Sequence, residues 1–94
     1  MNAGQMQAED NFTISPEQKE MLCRLLKSIR VEAGLNQEDL ARRLNKPQSF
    51  ISKYESGERR LDLLEISHLC TAVGISLSRF AERLEQQLQG SQTL

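Results

Sequence analysis

The chain has one histidine, His68, and two cysteines, Cys23 and Cys70, and these three do not fall at the paired intervals that a metal site requires. No metal or other cofactor is therefore expected, and both cysteines, set in apolar helical runs, read as free thiols of the core. His68 has no second group for acid–base chemistry and reads as a surface helix residue. A nucleophile–base pair and a glycine-rich phosphate loop are missing as well, which argues against an enzyme. No apolar run approaches membrane-spanning length, and no basic start leads into an apolar stretch, so neither a membrane nor export is expected and the protein is placed in the cytoplasm. With 94 residues, 38 % of them hydrophobic, there is material for one small domain and no second core.

A surplus of positive charge is also lacking, since the formal net charge is −1. Its distribution says more than its sum. From Arg42 to Arg60 the bases Arg42, Arg43, Lys46, Lys53, Arg59 and Arg60 stand against only Glu55 and Glu58. Glu9, Asp10, Glu17 and Glu20 lie before this stretch, and Glu82 and Glu85 after it.

What the sequence does have is dense helix punctuation. Residues 1–14 are polar and without period, and are expected to be a mobile leader. Ser15-Pro16-Glu17-Gln18 combines an N-cap serine, a proline for the first helical position and a capping-box glutamine. The first helix then runs on Met21, Leu22, Leu25, Leu26 and Ile29 to a stop at Gly34. Asn36 caps a second helix that ends near Leu44. Asn45 tolerates the left-handed turn, Pro47 presets the first turn of a third helix, and Ser56-Gly57 closes it. Asp62 to Glu65 caps a fourth helix carrying Leu63, Ile66, Leu69, Cys70 and Val73 up to Gly74. A fifth, from about Ser76, carries Leu77, Phe80, Ala81, Leu84 and Leu88, with a fraying tail at 90–94. No strand pattern occurs, so the expected fold is all-α, a compact five-helix bundle over residues 15–89.

Between Gln37 and Tyr54 the apolar positions fall at Leu40, Ala41 and Leu44, then at Ile51 and Tyr54, with the period broken between them. Ala41 opposite Ile51 supplies the small side chain that two steeply crossing helices need. This is a helix-turn-helix pattern, and it points to double-stranded DNA. With Ile51 and Tyr54 inward, Gln48, Ser49, Ser52 and Lys53 face outward or sideways. Gln48 and Ser49, in the first turn, are placed at base edges, where glutamine can pair with adenine and Lys53 with guanine or a phosphate. Phe50 is either half buried or set against a thymine methyl. Arg59 and Arg60, in the following loop, are expected on phosphates together with Arg43, Lys46 and Ser52.

Arg30, Gly34-Leu35-Asn36-Gln37, Leu40-Ala41, Ile51-Ser52 and Glu55-Ser56-Gly57 resemble the lambda repressor and Cro-like (Xre-type) helix-turn-helix family over residues 22 to 82. The resemblance implies a five-helix bundle whose third helix enters the major groove and whose second lies across the backbone. It further implies a phosphate clamp at Gln37, supported by Asn36, and a partly buried structural ion pair between Arg30 and Glu55. Two positions depart from the family: Asn45 where glycine is frequent, and Lys46 where an aliphatic residue plugs the turn. A looser turn is the expectation, with the Lys46 ammonium in solvent or on a phosphate.

The functional expectation is a sequence-specific transcriptional regulator, most simply a repressor without a sensing domain or small-molecule ligand. The alternative is a protein-interaction module, such as an antitoxin-like bundle, without independent DNA recognition. Leu84 and Leu88 continue the last apolar stripe beyond what one small core needs, which suggests a homodimer on a palindromic operator, with Leu61 and Leu64 extending the contact.

Overall fold

The structure, a computed structural model, describes residues 13–92, so the leader expected at 1–14 lies almost wholly outside it. Five helices follow one another, α1 (Pro16–Glu32), α2 (Gln37–Leu44), α3 (Gln48–Ser56), α4 (Leu63–Val73) and α5 (Leu77–Gln92), and no strand occurs among the described residues.

Side-chain caps fix most of the helix starts. Ser15 Oγ accepts from the Gln18 N–H at 3.1 Å, and Gln18 Oε1 accepts from the Ser15 N–H at 3.3 Å. Asn36 with Asp39 and Asp62 with Glu65 form the same reciprocal box at α2 and α4. The start of α3 differs from expectation. Pro47 is its N-cap, with extended backbone at φ −70° and ψ 156°, rather than its first helical residue. Its φ suits both positions, but with ψ extended only its carbonyl joins the helix, accepting from the Phe50 N–H at 3.0 Å. No side chain caps α3.

The turn before it is closed, not loosened by Lys46. Asn45 takes the left-handed conformation at φ 57°, and the Lys46 N–H reaches back to the Ala41 carbonyl at 2.9 Å. These closing bonds are backbone bonds, so they hold whatever side chain stands at position 46.

Every helix contributes to one core: Leu25, Leu26 and Ile29 from α1, Leu40 and Ala41 from α2, Ile51 and Tyr54 from α3, Ile66, Leu69 and Cys70 from α4, and Phe80 from α5. Ala41 and Ile51 are both buried in this one core. At about 25 cal/mol per Å² of apolar surface, such a cluster is the main favourable contribution to folding. Leu63, expected on the core face of α4, is instead 65 % exposed. It is the first residue of that helix and stands beyond the edge that Ile66 closes.

The C-terminal helix brings two further corrections. Leu84 is not surplus, because it packs on the core together with Leu61, whereas Leu88 stays outside that cluster. The helix also passes Gly90 and continues to Gln92. Its junction with the rest of the bundle is reinforced by Arg83, which grips Glu32 at the end of α1 through two bonds of 2.8 Å.

Candidate nucleic-acid interface

A chain of polar contacts runs from the end of α1 to the first residue of α3. Arg30 is buried and donates to both Glu55 oxygens, at 2.7 and 3.0 Å, and to the Leu35 carbonyl at 2.8 Å. Glu55 Oε1 also accepts from Gln37 Nε2 at 3.0 Å, and Gln37 Oε1 in turn accepts from Gln48 Nε2 at 2.8 Å. Arg30, Asn36, Gln37, Glu38 and Gln48 thus line one open cleft where the starts of α2 and α3 converge.

The chain has a chemical consequence for Gln48. A carboxamide has two N–H donors and an oxygen acceptor. One donor is held by Gln37, which leaves the other donor and the oxygen, the two groups that match N7 and N6 of adenine. Gln48 is exposed, so this edge faces outward from a fixed root. Gln37 therefore sits between the buried ion pair and the first residue of α3. Its position was visible in the sequence, but its link to Gln48 depends on how two helix starts converge in space.

A second cluster surrounds Phe50, which is half buried and meets Tyr54 edge-on, with ring centroids 5.7 Å apart. Two cations attend its ring: Lys46 Nζ at 5.3 Å and Arg59 Cζ at 4.7 Å from the centroid. Arg59 is also paired in two-pronged fashion with Glu65. This contact holds the guanidinium more firmly protonated and pulls the Glu65 carboxyl below its usual range. Sequence reasoning missed Glu65 as a partner of Arg59, because the contact spans a loop and carries no helical spacing.

The remaining expected site residues occupy varied surroundings. Ser49 and Lys53 are exposed on α3, and Ser52 is half buried. Asn36 uses its side-chain oxygen to cap α2. Arg43 donates to the Ala72 carbonyl at 2.7 Å, which ties α2 to the last turn of α4. Arg60 is exposed, and its side chain has no partner among the described residues. Cys23 and Cys70 are free, no group of metal-ligating side chains occurs among the described residues, and none of the described helices is long and apolar enough to cross a membrane.

A capped two-helix unit with a tight turn, an exposed first turn on its second helix and cations along its flank defines a helix-turn-helix protein. The model of the Helix-turn-helix family matches residues 26–85, and the chain belongs to that family, in its XRE-type branch of DNA-binding transcription regulators. An XRE-family like protein from Pseudomonas syringae pv. tomato is 34 % identical, with 93 % of this chain and 98 % of that one covered and a TM-score of 0.70. The restriction-modification controller protein C.Esp1396I, solved as a tetramer in complex with its natural 35 base-pair operator, is 27 % identical. There 80 % of this chain and 99 % of that one are covered, with a TM-score of 0.71. The clp gene regulator ClgR from Corynebacterium glutamicum shares the fold at 23 % identity and a TM-score of 0.69, over 85 % of this chain and 87 % of that one. Among curated proteins, none matches the chain in sequence.

Proposed function

We propose that this chain is a sequence-specific transcriptional repressor that binds double-stranded DNA as a twofold dimer, with α3 in the major groove of a palindromic operator. The observation that carries the reading is the state of Gln48. It stands exposed at the first position of α3, and Gln37 and Glu55 hold it so that its free edge suits adenine. Ser49 and Lys53 add to the same outward face, and Arg60, Arg43 and Lys46 supply phosphate contacts around it. A helix seated in the groove covers base edges and adjoining backbone, so occupancy of a promoter is enough to keep other proteins off that face. The likeness to a controller protein solved on its operator supports the reading.

The competing reading, an antitoxin-like interaction bundle, draws on the net charge of −1. The concentration of positive charge from Arg42 to Arg60 favours DNA instead. Mobility-shift titration against genomic fragments separates the two. Log affinity is expected to fall linearly with log salt, with a slope of several units. At a selected site Gln48→Ala is expected to cost about 1–3 kcal/mol and to relax one base position per half-site. A flat salt titration overturns the DNA reading, and an unchanged base preference in Gln48→Ala overturns the register assigned to α3.

A further inference from the structure

Of the two arginines in the loop after α3, one is not free. Arg59 Nη2 donates to Glu65 Oε2 at 2.9 Å and Nη1 to Glu65 Oε1 at 3.3 Å, while Nη1 also donates to the Arg60 carbonyl at 3.0 Å. The guanidinium lies over the ring of Phe50. The carboxylate is itself fixed, because Glu65 Oε1 accepts from the Asp62 N–H at 2.9 Å and the Glu65 N–H donates to Asp62 Oδ1 at 2.8 Å. The capping box of α4 thus sets Glu65 in place, and Phe50, a residue of α3, sets Arg59 against it. Other pairs, Arg24 with Glu20 and Arg42 with Asp39, join neighbouring turns of one helix, with their arginines well exposed. The Arg59 pair instead joins the loop to α4 and is more enclosed.

A carboxylate and a phosphate make the same demand on a guanidinium, two parallel N–H bonds to an anion. Both cannot be met at once by the edge that Glu65 holds. We propose that Glu65 is a resident competitor for the DNA backbone: it offsets the charge of Arg59 toward duplexes of arbitrary sequence, and a phosphate takes the Nη1–Nη2 edge of Arg59 only by displacing the carboxylate. An arginine that stays paired with Glu65 releases no counterion from DNA and adds nothing to the sequence-independent part of binding. Close seating of α3 brings a phosphate to Phe50 and Arg59 and makes the exchange favourable, whereas a loose encounter does not. Glu65 then lowers non-specific affinity more than operator affinity and so sharpens discrimination. The inference rests on the DNA reading above.

Glu65→Gln tests it, because glutamine serves the capping box as glutamate does but cannot neutralise Arg59. Wild type, Glu65→Gln, Arg59→Gln and the double variant are titrated by fluorescence anisotropy with a short duplex of arbitrary sequence over a range of salt, and circular dichroism checks that each is folded. Glu65→Gln is expected to bind severalfold more tightly, with a salt slope steeper by about one unit. The gain is expected to vanish when Arg59 is also replaced. Glu65→Ala, which also gives up the cap bond to the Asp62 N–H and is the less stable of the two, is expected to show the same gain, and both Glu65 variants are titrated well below their melting points. Binding by wild type with no change in either Glu65 variant overturns this inference alone. So does a gain that survives loss of Arg59, since it would reflect net charge only. A wild type that binds no duplex at any salt overturns the DNA reading and this inference with it.

Discussion

Tyr54 places a phenol in the core at 1 % exposure, and no group among the described residues partners its hydroxyl. Burial pushes its pKa well above the usual 10.0, the Glu55 carboxylate pushes the same way, and Arg30 opposes. The native state therefore keeps a proton that the unfolded chain loses above about pH 10, so stability falls as pH rises through the unfolded value. Tyr54→Phe removes a buried hydroxyl whose lack of a partner costs about 1–3 kcal/mol. Thermal melting is expected to be unchanged or higher at neutral pH, with a shallower alkaline decline. A clearly lower melting point would mean that the hydroxyl has a partner. The neighbouring pair behaves in the opposite way. Arg30 and Glu55 have side chains only 8 % and 5 % exposed, and breaking one side of such a pair costs about 3–5 kcal/mol. Glu55→Ala should lower the melting point accordingly. It should also loosen base preference at the position proposed for Gln48, since Gln37 loses its anchor. Equal melting points for wild type and Glu55→Ala would remove the structural role assigned to the pair.

At the scale of elements, the helices were legible because their punctuation is local. Ser15, Asn36 and Asp62 cap from within three residues, and Gly57 and Gly74 take the left-handed conformation that ends α3 and α4. Less legible was whatever depended on where elements meet. Leu63 fits the apolar period of α4 yet faces solvent, since period alone does not say where the core ends. Leu84 looked surplus because the depth of the groove that receives α5 has no signature along the chain. Arg59 with Glu65, Gln37 with Gln48 and Arg83 with Glu32 are all contacts between elements, and spacing along one helix cannot reveal them. The α1–α5 tie has a pH dependence of its own. Arg83 holds the Glu32 carboxyl below its usual range, as Arg59 does for Glu65. A depressed folded-state pKa gives a contribution that is full above the unfolded value and is lost as pH falls through the folded one. Melting is therefore expected to fall on acidification into and below the carboxylate range. Glu32→Gln should blunt part of that fall while slightly lowering the melting point at neutral pH. An acid profile identical to wild type would show that the tie between α1 and α5 contributes nothing in solution.

For the whole molecule, the open question is how one small bundle selects a site. A single recognition helix reads few base pairs, and a twofold dimer reads two half-sites about 34–36 Å apart on one side of the duplex. Of the leucines expected at such a contact, Leu64 at the start of α4 is the one left well exposed. Leu84 and Leu61 pack on the core of their own protomer, whereas Leu64 and its neighbour Leu63 are 74 % and 65 % exposed at the start of α4. Two adjacent exposed leucines on a short rigid helix are costly to leave in water, at about 25 cal/mol per Å². They fall well short, on their own, of the roughly 800 Å² per partner of a stable interface. A dimer built on them is therefore expected to be weak in solution and to strengthen on an operator that holds two copies side by side. Sedimentation of wild type with and without a selected operator duplex, beside Leu63→Glu/Leu64→Glu and Leu84→Ala, separates the roles. The α4 variant should fold normally, stay monomeric and bind half-sites without cooperativity. Leu84→Ala should lose on the order of 1–2 kcal/mol of stability, since only part of the side chain is buried, but keep its assembly. If the α4 variant assembles on the operator as wild type does while Leu84→Ala does not, the contact lies on α5 and the exposed leucines of α4 have no part in it.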